Sequence, residues 1–445
     1  MSDWTASADF AREPVDRPRP ARPLTIILSW RTLTDAACVV FFLWASTALR
    51  SFLPAFFAYE RYIWLLSDLL VVIWLLVRPG QVITIIRRHV ILASWGILAS
   101  LSMIWSWDPA QSLYFGLQLI FTILTGFYLC SLKSRTRLIQ LLFLALLPAQ
   151  LFSFYINLAA PHLASGFPGG GAFTHKNVLG NMMVLQIITS LCLLLQGWRP
   201  MLTAGGFLAA CALLVMSQSA SSLLIAVLIV GGLIPLALLY RSNVNLTRAV
   251  VGAGFVAVAA AFLLIIGTGF DPVGAVLGSV GKDTTLTGRT VLWMFGWEAF
   301  SEYPWFGHGY RAYWLTDKTT VLLLRYVMQQ DLEIFHNVFI EVAVAFGIWG
   351  PILFVLGLVA GIHKVAKEFF ATKSLSALWS LLFMLFIISY CFAENPLFAN
   401  HGILQVLFVI AVAARDPHEG NGAEPRAKNR VRHSAIEENG GLDET

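Results

Sequence analysis

Near-continuous runs of apolar residues, separated by short polar breaks, fill this chain from about residue 34 to residue 414. Measured against the roughly 17–25 residues that cross a hydrocarbon layer, they fall at 34–56, 61–77, 89–107, 112–132, 137–159, 177–197, 201–217, 219–240, 248–268, 336–362, 374–392 and 397–414. The pattern predicts an all-α polytopic membrane protein with about twelve transmembrane helices. One interruption is out of scale. Between about Phe270 and Phe335 the runs stop for some 65 residues, far beyond the usual connection length. The expected organisation is an N-terminal segment at 1–33, a membrane domain at 34–414 with a long loop at about 269–335, and a disordered polar tail at 415–445.

Composition agrees with this. Of 445 residues, 58% are hydrophobic and 12% charged, with a mean hydropathy of +0.73. A soluble domain carries about twice that charge. The net charge of +5 is modest and does not imply nucleic acid. The start of the chain holds Arg12, Arg17, Arg19 and Arg22 among prolines. It lacks a short apolar core with a cleavage site, so an uncleaved first span is expected rather than a signal peptide. The five cysteines, Cys38, Cys130, Cys192, Cys211 and Cys391, lie in apolar runs without a Cys-x-x-Cys pair. They read as small interior residues, and no metal is expected.

Lys and Arg set the orientation. With the N-terminus in the cytoplasm and strict alternation, 22 of the 30 basic residues fall on the cytoplasmic side. Five of the other eight sit in the long loop, where the rule has little force. Both termini are then cytoplasmic, and the long loop faces outward.

Three polar islands lie on that outward side. Gly169-Gly170-Gly171-Ala172-Phe173-Thr174-His175-Lys176-Asn177 opens the sixth run. Its glycines permit tight turns and close approach to a ligand. The bland alternative is a flexible loop with a snorkelling lysine. Ser217-Gln218-Ser219-Ala220-Ser221-Ser222 forms a hairpin between two runs, its hydroxyls bonding a ligand or neighbouring helices. In the long loop, Thr287-Gly288-Arg289-Thr290 precedes a stretch with Trp293 and Trp297 four apart. This reads as a short helix capped by Thr287 and lying in the membrane interface. It would hold Arg289 at headgroup level, where guanidinium and helix-end amides favour phosphate oxygens; a plain interfacial anchor is the alternative. The turn Glu302–Tyr310, rich in Pro and Gly, ends that helix, and Arg311 follows. Finally, His336-Asn337 opens the tenth run. Histidine can take a proton from a hydroxyl near neutral pH, and Asn337 could orient an acceptor; helix capping is the bland reading. Gly278-Ser279-Val280-Gly281-Lys282 lacks the first glycine and the final Ser/Thr of a P-loop and is rejected.

The ordered set Phe-Thr-His-Lys-Asn, Ser-x-Ser, Gly-Arg-Thr-x-x-Trp, Pro-Trp-x-Gly-x-Gly and His-Asn resembles the O-antigen ligase and Wzy-type polymerase superfamily. The Thr174-His175-Lys176-Asn177 form is most similar to its ExoQ-like exopolysaccharide-production branch. The resemblance implies a GT-C-like fold and a periplasmic loop with short amphipathic helices. It implies an inverting, metal-independent glycosyltransferase of the bacterial inner membrane without cofactors. Its donor would be a glycan on undecaprenyl pyrophosphate, polymerised into exopolysaccharide. Carried over by position, Arg289 matches the loop arginine and His336 the histidine that assists the acceptor hydroxyl. Relatives place a basic residue in the Ser-x-Ser segment where this chain has Gln218 and Ala220; Lys176 is the nearest replacement. Arg289 and Lys176, with Arg311, are thus expected on the pyrophosphate. Thr174, His175, Asn177, Ser217, Ser219 and Asn337 are expected to line the substrate. Membrane lipid, a chain-length regulator and export proteins are the expected partners. A ligase acting on lipid A core and a twelve-helix polysaccharide or lipid transporter are the rival readings.

Overall fold

The computed structural model describes residues 29–48, 60–161, 169–229, 231, 286–316, 318–328 and 332–416. The expectations for the segment before residue 29, the run 248–268, the second half of 219–240, the start of the long loop and the tail after Asp416 lie outside these residues. Among the described residues every regular element is helical.

The polar breaks double as helix caps. Helix α1 (Trp30–Ala45) starts where Ser29 Oγ accepts the Thr32 amide. Helices α2 (Glu60–Val77) and α3 (Pro79–Arg88) meet at Arg78, which its proline neighbour keeps out of helical geometry. The two are bent by 105°. Next come α4 (Val90–Leu101) and α5 (Pro109–Leu132), the latter capped by Asp108. Ser134 caps α6 (Arg135–Leu158), and α7 (Lys176–Leu195), α8 (Pro200–Met216) and α9 (Ala220–Ile229) follow. After the long loop come α13 (Val338–Phe346), α14 (Trp349–Thr372), α15 (Leu375–Cys391) and α16 (Ile403–Ala413). Helices α5, α6, α7 and α14 are long and apolar enough to cross a membrane, and the bent α2–α3 pair makes a fifth candidate. The chain is a multi-pass membrane protein. Its main core lies where α7, α15 and α16 pack against α5, α6 and α14.

Three apolar runs differ from the helices they contain. The run 336–362 breaks at Gly347, whose φ of +63° and ψ of −148° suit glycine alone. The turn before Tyr310 docks on the break: the His308 and Gly309 amides donate to Val344 and Ala345 carbonyls, each at 2.9 Å. They satisfy acceptors that the end of α13 leaves open. The run 397–414 is helical only over α16, about 16 Å long by helical rise. The run 89–107 is α4 followed by a 3-10 turn, Ser102–Ile104. The connection 392–402 is irregular and pinned by polar groups. Phe398 N–H donates to Gln405 at 3.0 Å, His401 N–H to Thr122 at 2.9 Å, and Asn400 to Gln118 at 2.8 Å. Irregular backbone inside an apolar bundle requires such partners.

The long loop is a helical unit where described: α10 (Leu286–Glu302), α11 (Ala312–Leu315) and α12 (Thr319–Met328). It has a small core of its own, with Leu292, Tyr313, Trp314, Leu324 and Phe335. The helix begins at Leu286, so Thr287 lies inside it rather than at its cap.

Basic residues expected on the cytoplasmic side gather at one end. Lys133 and Arg137 each reach Asp35 at 2.6 Å, and fully buried Arg135 joins Glu368 and the Ala414 carbonyl. The outward islands gather at the other end.

Candidate functional site

Glu394 is the hub of that second end. It stands in the irregular connection, after α15, with its side chain 13% exposed. Its Oε1 accepts from Arg289 Nη2 at 3.0 Å and from Asn177 Nδ2 at 3.3 Å. Its Oε2 lies 2.7 Å from His336 Nδ1. Asn177 is in turn fixed by Ser219 Oγ, which donates to its Oδ1 at 3.0 Å. Ser219 pairs with Ser222 at 2.8 Å, and Ser222 donates to buried Asn181 at 3.1 Å. A polar chain therefore runs from Glu394 into the contact between α7 and α9. Gly180 makes that contact, because a Cβ there would meet Ser222 Oγ at 2.5 Å.

Burial alone would push the Glu394 carboxyl up. The hydrogen bond and charge of His336, the charge of Arg289 and the bond from Asn177 outweigh it and hold the group below the usual carboxylate value. The His175 imidazole is held below the usual histidine range, first by burial and then by Lys176, His336 and Arg289, against the pull of Glu394. Consistently, His175 Nδ1 accepts the Asn177 amide at 3.1 Å and caps α7.

His336 is presented with unusual backbone geometry, φ +53°. The preceding residue is gripped from both sides. Phe335 N–H donates to the Glu341 carboxylate at 3.0 Å, and Trp293 Nε1 donates to the Phe335 carbonyl at 3.1 Å. Glu341 also accepts from Trp314 Nε1 at 3.1 Å. Trp293 is therefore a brace rather than a lipid anchor, whereas Trp297, 67% exposed, keeps the outward role. With Nδ1 on Glu394, His336 directs Nε2 away from its anchor, and the side chain is 31% exposed. An Nδ1–H donated to a carboxylate leaves Nε2 as a proton acceptor.

The expected site residues divide in two. Arg289, His336, Asn177, Ser219 and His175 meet around Glu394. Lys176 begins α7 beside them, partly exposed and without an ion pair among the described residues. Thr174, partly exposed, immediately precedes the His175 cap. The others are engaged elsewhere. Ser217 is buried, donates to the Leu214 carbonyl at 2.7 Å and ends α8. Asn337 is buried and caps α13 by accepting the Phe339 and Ile340 amides. Arg311 faces Glu333 at 3.8 Å and the Phe115 ring at 5.5 Å. Glu394 itself was not anticipated. Its signal is a lone carboxylate in a short break between apolar runs, on the same side as three cationic candidates. No group of three or more metal-ligating side chains occurs among the described residues.

Arg289 and Lys176 against one carboxylate leave a cationic surplus, suited to an anionic group. The partly exposed imidazole of His336 stands beside it. Residues 205–355 match the family model described as O-antigen ligase. The chain is also similar to the exopolysaccharide production protein ExoQ of Rhizobium meliloti (strain 1021), at 32% identity over 289 residues. That match covers 61% of this chain and 64% of ExoQ, so it spans just under two thirds of the relative's length. These matches make the chain similar to the O-antigen ligase family over residues 205–355 and to ExoQ over a longer stretch.

Proposed function

We propose that this protein polymerises undecaprenyl-pyrophosphate-linked oligosaccharide repeat units into exopolysaccharide by inverting, metal-independent glycosyl transfer. The reaction is assigned to the periplasmic face of the bacterial inner membrane. One observation carries the reading: Asn177, Arg289 and His336, far apart in the chain, converge on Glu394 at the end of an apolar bundle. A lipid-linked donor needs lipid for its tail, cations for its pyrophosphate and polar groups for its sugars, and this end offers all three.

The acceptor hydroxyl oxygen bonds the anomeric carbon as the bond from that carbon to the pyrophosphate oxygen breaks. The bonding pair stays on the pyrophosphate, and the hydroxyl proton passes to His336 Nε2. A single displacement inverts the anomeric centre. Negative charge grows on the leaving group, so Arg289 and Lys176 stabilise the transition state more than the ground state. Thr174, His175, Asn177 and Ser219 shape the sugar site. Ser217 and Asn337 support it as helix caps, and Arg311 acts from the segment before His336. Twelve spans in a GT-C-like arrangement, with both termini cytoplasmic, fit the separation of basic end and site. A chain-length regulator and export proteins would act alongside. A ligase would differ only in its acceptor, and the ExoQ likeness favours the polymerase.

The test is the purified protein in lipid, given lipid-linked repeat units. Wild type should yield a ladder of polymer, and folded His336→Ala and Arg289→Ala should each lose at least about a hundredfold in rate. Full synthesis by folded His336→Ala would remove the base assignment.

A further inference from the structure

Glu394 holds a guanidinium and an imidazole, and the first of them is also the expected partner of the substrate. Its Oε1 carries Arg289, and its Oε2 carries His336. A pyrophosphate entering the site competes for the Arg289 guanidinium. The connection that carries the carboxylate is anchored a few residues further on, at Phe398, Asn400 and His401, to α5 and α16, which resists its following the guanidinium. Asn177 Nδ2, already 3.3 Å from Oε1, remains as a neutral donor once the guanidinium leaves. Ser219 keeps Asn177 oriented for that purpose.

We infer that Glu394 is a positioning residue that parks Arg289 in the resting site and yields it to the pyrophosphate, while staying on His336. This rests on the roles given above to Arg289 and His336. The consequence is an Nδ1–H that has the carboxylate's charge to itself when the donor is bound. In the resting site, Glu394 divides its charge between guanidinium and imidazole. Once Arg289 has moved, His336 is its remaining charged partner among the described residues. The proton arriving at Nε2 then meets an undivided carboxylate behind Nδ1. Glu394 accepts the Nδ1–H throughout and is not itself protonated. The other ionisable groups facing His336 are His175 and Lys176 from α7, Arg289 from α10 and Glu341 from α13. None of them changes partner in this step except Arg289.

Glu394→Gln separates this role from simple support. With no carboxylate to leave, Arg289 is released to the donor, so KM should fall about threefold or more. The imidazolium loses its counter-charge, so kcat should fall about tenfold or more. The acid limb of kcat against pH should move to lower pH, and Glu394→Asp should recover part of kcat. A raised KM with an unmoved acid limb would show Glu394 to be a strut and overturn the inference. A second arm does not depend on turnover: binding of a sugar-free polyprenyl pyrophosphate to the full chain in detergent, followed by tryptophan fluorescence. Tighter binding by Glu394→Gln supports the exchange. Equal or weaker binding, or no binding by wild type, overturns it. Tighter binding together with wild type that makes no polymer would keep the exchange and remove the polymerase reading.

Discussion

Glu341→Gln tests how His336 is held. The left-handed backbone at His336 costs about 1–2 kcal/mol for a residue with a Cβ. Against that cost stand the two hydrogen bonds on the preceding residue, from Phe335 N–H to Glu341 and from Trp293 to the Phe335 carbonyl. Glu341 offers one oxygen to Phe335 N–H and the other to Trp314 Nε1. A glutamine has one acceptor oxygen for those two donors and turns its NH2 toward the other. A hydrogen bond to a charged group contributes about 1.5–3 kcal/mol. Losing one therefore equals or exceeds the backbone cost it offsets. At about 1.4 kcal/mol per factor of ten, the ratio of the population with His336 on Glu394 to that with it off should fall roughly tenfold to a hundredfold. The assay is polymer synthesis from lipid-linked repeat units alongside thermal unfolding in the same detergent. Turnover should drop with that population while KM stays within about twofold, and Tm should fall. Turnover within about twofold of wild type would refute the argument that the grip on Phe335 sets the position of His336.

Two further outcomes follow from the turn that docks at the break after α13. Burial holds the His308 imidazole down at about 4, its bond to the Val344 carbonyl only partly opposing this. The neutral ring therefore stabilises the fold above the ordinary histidine range, and the contribution is lost as pH falls toward that value. The loss is on the order of 3 kcal/mol at full protonation, so Tm against pH should fall more gently on the acid side in His308→Phe than in wild type. Gly347→Ala would place a Cβ 2.3 Å from the Trp305 carbonyl carbon at a φ of +63°. It should lower Tm by several degrees or more and reduce folded yield; an unchanged Tm would contradict the docking.

Most helices were legible because an apolar run and its flanking cap are local features. Ser134 and Asp108 mark their starts without any knowledge of the rest of the chain. The break at Gly347 was hidden because the residues around it are apolar on both sides; its cause, the turn at His308, comes from another part of the chain. The two tryptophans of α10 show the same limit. A spacing of four fits a lipid-facing stripe or an inward brace, and only the Phe335 carbonyl separates Trp293 from Trp297. Arg289, His336 and Asn177 stand out in the sequence because such polar chemistry is scarce in so apolar a chain, and the fold brings them together around Glu394. Glu394 was passed over because a pyrophosphate calls for cations and hydroxyls. A carboxylate becomes meaningful only when the guanidinium and the imidazole are seen beside it. Arg311 shows the reverse: its charge suited the substrate, and its distance from Glu333 was not readable.

The order of these residues along the chain has a consequence for biosynthesis. Asn177, Ser219, Arg289 and His336 are all translated before Glu394. Until the α15–α16 connection emerges and docks on α5, Arg289 and His336 lack the anion that orders them. A nascent chain, or one cut short before residue 394, would reach the bilayer with its cations present and its histidine unaligned. The last stretch to be made is therefore also the one that completes the cluster around Arg289 and His336.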